Sequence, residues 1–93
     1  MKINLMIDEK EKTFKADFVP GLVFRKFLEL KTKYDLADME KEAVEETVGL
    51  IVSAYNNQFT VDEFWEGIDG REIMPTIADF LSELTTGKAP EGK

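Results

Sequence analysis

The residues with the right types for chemistry are acidic. Glu45-Glu46 and Asp62-Glu63 are adjacent carboxylate pairs, raw material for acid–base catalysis or a divalent-metal site. Neither pair has company. The chain has no histidine and no cysteine, so the commonest general base, the commonest metal ligand and any thiolate nucleophile are missing. A calcium loop alternates oxygen ligands ahead of a bidentate Glu, and Asp62 to Glu72 does not follow that spacing. An acyl carrier needs a serine in an Asp-Ser pair at a helix start; Ser53 and Ser82 fall inside helical patterns without that pair. No glycine-rich phosphate loop joins a strand to a helix. The carboxylate pairs are therefore read as a solvated helix face and a helix N-terminus. The expectation is a non-enzymatic protein with no cofactor and no metal.

Composition narrows the classes further. Ninety-three residues make one domain with a single core, and 43% apolar residues argue against disorder. No run approaches the roughly 20 apolar residues of a membrane span, and the N-terminus has no signal-peptide pattern. A soluble, intracellular protein is expected. The formal charge of -7 disfavours nucleic acid and anionic membrane as partners, because phosphate binding needs cationic side chains.

Residues 2 to 7 and 13 to 18 alternate, with Ile3, Leu5 and Ile7 on one face of the first run and Phe14, Ala16 and Phe18 on one face of the second. Around the charged turn Asp8 to Lys12 they predict a β-hairpin, which needs helices against its apolar face. Pro20 suits the first turn of a helix. Val23, Phe27, Leu30 and Tyr34 follow at helical spacing, with Phe24 and Leu28 widening the stripe. A second helix is placed at 38 to 55, capped by Asp35 or Asp38. Its inward face is Met39, Ala43, Thr47, Val48, Ile51 and Tyr55, flanked by Val44 and Val52. Gly49 in its middle is read as a close approach by a neighbouring helix.

Asn56-Asn57 breaks that helix. Thr60-Val61-Asp62-Glu63 has capping-box spacing, and Gly67 ends the short helix as a C-cap glycine. The last helix is placed at 70 to 85 with Ile73, Ile77, Phe80, Leu81 and Leu84 apolar. If Asp69 caps it, Pro75 lies past the first turn and kinks it. The alternative starts regular helix nearer 72 and makes Asp69-Gly70 a turn. Gly87 closes the helix. Residues 1–87 are expected to form the domain, and 88–93 a flexible tail.

Two features point to surfaces. Phe64 and Trp65 are adjacent, so on a helix they point about 100° apart and both cannot easily be buried. Phe80 and Leu81 pose the same problem, and one member of each pair can belong to an exposed apolar patch. The first helix region is also basic and the second acidic. Residues 20 to 34 carry Arg25, Lys26, Lys31 and Lys33 against Glu29, or +3; residues 36 to 57 carry five carboxylates against Lys41, or -4. Antiparallel packing would satisfy these charges within the molecule. Otherwise the basic helix of one copy meets the acidic face of the next, a contact that builds rings or filaments.

A hairpin carrying Thr13-Phe14, the basic helix VFRKFLEL at 23 to 30, an acidic helix, and then VSAYNNQFTVDEFWEGIDGREI from Val52 to Ile73 occur in that order. This order resembles the tail assembly chaperones of long-tailed phages, the gpG-like group of siphophages and prophages, over residues 1 to about 85. The resemblance implies a mainly helical, self-associating protein that coats the tape-measure protein while major tail (tube) protein polymerises around it. It further implies a C-terminally extended frameshift form, work in the cytoplasm of the bacterial host, and absence from the mature virion. No catalytic residues carry over.

The expected fold is α+β, mainly α, an N-terminal β-hairpin packed on about four helices. The expected function is a phage tail assembly chaperone that binds the tape-measure protein and recruits tube subunits. Phe64, Trp65, Phe80 and Leu84 are its candidate contact residues, with Arg25, Lys26 and Lys31 as an electrostatic patch. The alternative is a small bacterial regulatory or adaptor module binding one partner stoichiometrically.

Overall fold

The structure is a computed structural model and describes residues 1–86. The expected stop at Gly87 and the tail at 88–93 lie outside the described residues. Strands β1 (Lys2–Ile7) and β2 (Lys10–Lys15) form an antiparallel hairpin. Four helices follow: α1 (Gly21–Lys33), α2 (Lys41–Ala54), α3 (Val61–Gly67) and α4 (Ile73–Thr86), with a 3-10 turn at Gly70–Glu72. This is the α+β, mainly α architecture the sequence predicts.

The hairpin turn is tighter than its charge run suggests. Asp8 and Glu9 both adopt left-handed conformations, φ 54° and 67°. That makes a two-residue turn whose twist suits the strands. Lys10 to Lys12 therefore enter the ladder, and β2 runs from Lys10 rather than from Thr13. Ile3 pairs with Phe14 and Leu5 with Lys12. Ile3 and Leu5 face the core as expected. Phe18 does not: it lies beyond β2 and is 72% exposed.

Helix α2 is the centre of the molecule and touches α1, α3 and α4. It begins at Lys41, later than expected. Asp35 instead holds a turn, accepting from the Ala37 N–H at 3.0 Å. Seven of its residues are buried, including Leu50 and Ala54, which lie off the face read from spacing. A helix covered on several sides has no single inward stripe. The buried Thr47 hydroxyl donates to the Ala43 carbonyl at 2.7 Å, so it adds no unsatisfied group. The helix ends in a Schellman arrangement. Asn57 N–H donates to Val52 O and Asn56 N–H to Ser53 O, both at 3.0 Å, with both asparagines left-handed.

Two glycines differ from expectation. A Cβ at Gly49 would meet nothing within 4 Å, so Gly49 opens a hollow between α1 and α2 and marks no close approach. Gly67 is the last residue of α3, and its cap is Ile68 in an extended conformation. Its reason is packing against β1: an added Cβ would lie 2.6 Å from the Met6 carbonyl oxygen.

At α3 the capping box is present. Thr60 Oγ1 accepts from Glu63 N–H at 3.0 Å, and Glu63 accepts from Thr60 N–H at 2.9 Å. Asp69 caps the 3-10 turn, accepting from Arg71 N–H at 2.9 Å. Helix α4 begins at Ile73, which puts Pro75 in its first turn, where its missing N–H costs nothing. The second of the two Pro75 readings holds.

Candidate partner-binding surface

An aromatic chain leads from the hairpin to the surface. Phe14 and Phe59 have ring centroids 5.0 Å apart, Tyr55 and Phe59 5.5 Å, and Phe59 and Phe64 6.4 Å. Phe59 and Phe64 are fully enclosed. Trp65 ends the chain edge-on to Phe64, at 5.8 Å and 90°, and is 37% exposed. Val61 stands one turn away on the same flank of α3 and is also exposed.

The sequence-predicted contact residues thus separate. Phe64 and Phe80 are buried and offer no surface to a partner in this fold. Both belong to the core cluster, which settles which member of each adjacent pair turns inward. Trp65 is at the surface. Leu84 is half-buried and packs on the core cluster.

A larger apolar surface lies on α1. Val23, Phe27 and Leu30 fill its buried stripe. Phe24 and Leu28, expected to widen that stripe, are instead exposed on its shoulder, about 100° from it. Leu22 is exposed on the opposite shoulder and Phe18 just before the helix. These four were not among the predicted contacts. Their signal was in the sequence: a stripe of Val23, Phe27 and Leu30 already fills one helix face, and α1 has more apolar residues than that face holds. Beside the shoulder, α1 and α4 border an open groove of about 510 Å³ lined by Phe27, Lys31, Tyr34, Leu36, Leu81 and Thr85.

The charges of α1 and α2 meet at one place. Lys33 Nζ is 3.0 Å from Glu46, and the Tyr34 hydroxyl donates to the same carboxylate at 2.6 Å. Those hydrogen bonds, Tyr34's first and then Lys33's, hold the Glu46 carboxyl below its usual range. Glu46 in turn pushes Lys33 and Tyr34 up, chiefly through the same hydrogen bonds. The helices run antiparallel, since Lys33 meets Glu46 while Lys26 and Ser53 line the other end of one hollow. The clamp uses only part of the charge. Arg25, Lys26 and Lys31 are exposed and have no ion pair among the described residues, and neither have Glu40, Glu42 and Glu45. Two of these cations, Arg25 and Lys31, border the shoulder of Phe24 and Leu28.

Among the described residues, no group of three or more acidic side chains is arranged to hold a metal ion, and no helix is long and apolar enough to cross a membrane.

A family model described as phage tail chaperone protein matches residues 1–93. The chain belongs to this family. No curated protein and no solved structure matches. Membership makes this phage tail chaperone a participant in tail assembly, a role that implies protein partners. For such a chaperone the relevant site is a surface. Among the described residues, folding leaves large apolar side chains exposed on and just before α1, at Val61 and Trp65 of α3, and singly at Met6 and Met74.

Proposed function

We propose that this tail chaperone binds the tape-measure protein and keeps it soluble while major tail (tube) protein assembles, working as an oligomer in the host cytoplasm and leaving before the virion matures. The observation that carries the reading is the exposed shoulder Phe24–Leu28, with Phe18 beside α1 and the cations Arg25 and Lys31 around it. A tape-measure protein that is helical and apolar would present an amphipathic helix. Such a helix lays its apolar face into a groove through anchors one turn apart, which matches the spacing of Phe24 and Leu28. The neighbouring groove between α1 and α4 supplies a trough. Trp65 and Val61 on α3 form a separate apolar spot suited to a tube subunit or a second copy.

Phe64 and Phe80 drop out of this contact set because they support the fold. Trp65 stays in it, Leu84 contributes from the edge of the core, and Arg25, Lys26 and Lys31 supply the basic surround. Co-expression tests the reading. Wild-type chaperone should raise the soluble fraction of its tape-measure protein and co-purify with it, and Phe24→Ser with Leu28→Ser should abolish both. A tape-measure protein equally insoluble with and without the wild-type chaperone would overturn it.

A further inference from the structure

One edge of strand β1 is paired with no strand among the described residues. Ala16 N–H donates to Met1 O at 2.9 Å, and the register pairs Lys2 with Lys15 and Ile3 with Phe14. Antiparallel pairs alternate between bonded and non-bonded, so Ile3, Leu5 and Ile7 aim their backbone polar groups at β2. Lys2, Asn4 and Met6 aim theirs the other way. Gly67 covers this outer edge at Met6, where its backbone packs against the Met6 carbonyl and N–H. At Lys2 and Asn4 nothing covers it: the backbone groups that face away from β2 have no hydrogen-bond partner among the described residues. They border a groove of about 500 Å³ between β1 and α4, floored by Ile51, Tyr55 and Phe80.

The far wall of the groove is acidic. Asp69 and Glu72 come from the 3-10 turn and Asp79 and Glu83 from α4, and Glu11 adds a fifth carboxylate from the hairpin. Lys2 is the one basic side chain in the lining. Asp69 is engaged by Arg71 and Glu83 by the α-amino group of Met1, which leaves Glu72, Asp79 and Glu11 without ion pairs among the described residues.

The geometry points to a peptide-docking site in which an extended segment of a partner protein, carrying Lys or Arg, lies along β1 as a third strand. The unpaired N–H and C=O of Lys2 and Asn4 supply main-chain hydrogen bonds, the mode by which extended peptides add to a sheet edge. The carboxylate wall selects a basic segment. Gly67 of α3 closes the groove at Met6 and the Met1–Glu83 ion pair ties β1 to α4 at the other end, so a short extended segment enters where a folded sheet does not. The site is separate from the α1 shoulder and does not rest on tape-measure binding.

The probe is a blocked hexapeptide of alternating Lys and Val, with a Glu/Val peptide and a Lys/Val peptide N-methylated at alternate backbone nitrogens as controls. The Lys/Val peptide should bind, and amide exchange should slow at Lys2 and Asn4 but not at Ile3 and Leu5, which are already bonded to β2. Both control peptides should fail. Glu72→Lys with Asp79→Lys should weaken binding roughly tenfold, and Phe24→Ser with Leu28→Ser should leave it unchanged. The proposal is overturned if the Lys/Val peptide does not bind, or if the N-methylated peptide binds as well as it does. Unaltered exchange at Lys2 and Asn4, or lost binding in the Phe24/Leu28 variant, would equally overturn it.

Discussion

Gly67 and Met6 meet backbone to backbone. The end of α3 lies so close to β1 that a methyl group on Gly67 would sit 2.6 Å from the Met6 carbonyl oxygen, 3.0 Å from its nitrogen and 3.2 Å from the Leu5 Cβ. Neither backbone atom can move aside as a flexible side chain would. Gly67→Ala should therefore push α3 away from the hairpin and cost roughly 2–3 kcal/mol, as overpacking does. Urea unfolding of wild type and variant measures this. A variant as stable as wild type would show that α3 can shift off β1 at no cost.

The two asparagines after α2 make a backbone prediction. Asn57 is left-handed at φ 59°, and its N–H closes the cap onto Val52. Asparagine tolerates that conformation, glycine adopts it freely, and alanine pays about 1 kcal/mol for it. Asn57→Gly should be neutral or slightly stabilising and Asn57→Ala destabilising by about 1 kcal/mol. The order of the two thermal midpoints decides it.

Phe64 and Trp65 are neighbours in sequence with opposite duties. Phe64 is fully enclosed against Phe59, so Phe64→Ala leaves a cavity and should cost about 3–5 kcal/mol. Trp65 is 37% exposed and rests edge-on against Phe64, so Trp65→Ala should cost only about 1 kcal/mol. Under the proposed function Trp65→Ala should nevertheless reduce co-purification with a tail partner. Denaturation midpoints paired with pull-down yields separate the two effects.

Asp69 gives a pH signature. The Arg71 guanidinium donates to its carboxylate at 2.7 and 3.1 Å and, with the Arg71 backbone N–H, holds it down to about 2. A depressed carboxyl contributes stability that is present above its unfolded value of about 3.8 and is lost as pH falls towards about 2. Asp69→Asn should therefore lower stability at neutral pH and flatten the fall in stability across that window, so that the two proteins converge as pH approaches about 2. Denaturation midpoints at several acidic pH values read it directly.

Most of the local structure was legible because short-range rules govern it. The capping box at Thr60 and Glu63, the helix break at Asn56-Asn57 and the inward positions Val23, Phe27 and Leu30 all depend on residues a few places apart. The misreadings share one cause. The extent of β2, the exposure of Phe18, Phe24 and Leu28, and the roles of Gly49 and Gly67 depend on what lies across from each residue. Neighbours in sequence do not carry that information. For Phe64 and Trp65 the sequence raised a conflict over burial and did not say which of the two would face outward.

The sequence by itself determined a small acidic chain without histidine or cysteine, an α+β order of elements and membership in the phage tail chaperone family. The first two follow from composition, period and the order of elements, and the third from the resemblance that the family match bears out. Only the tertiary structure decided which apolar groups remain at the surface and that, among the described residues, no strand pairs with the β1 edge beside α4. Hydrophobic side chains favour burial without specifying a partner, so the packing of distant elements selects which of them the core has room to hold. Backbone hydrogen bonds in a sheet are likewise satisfied only by a strand that the fold brings alongside. Here β2 takes one edge of β1 and no strand among the described residues reaches the other.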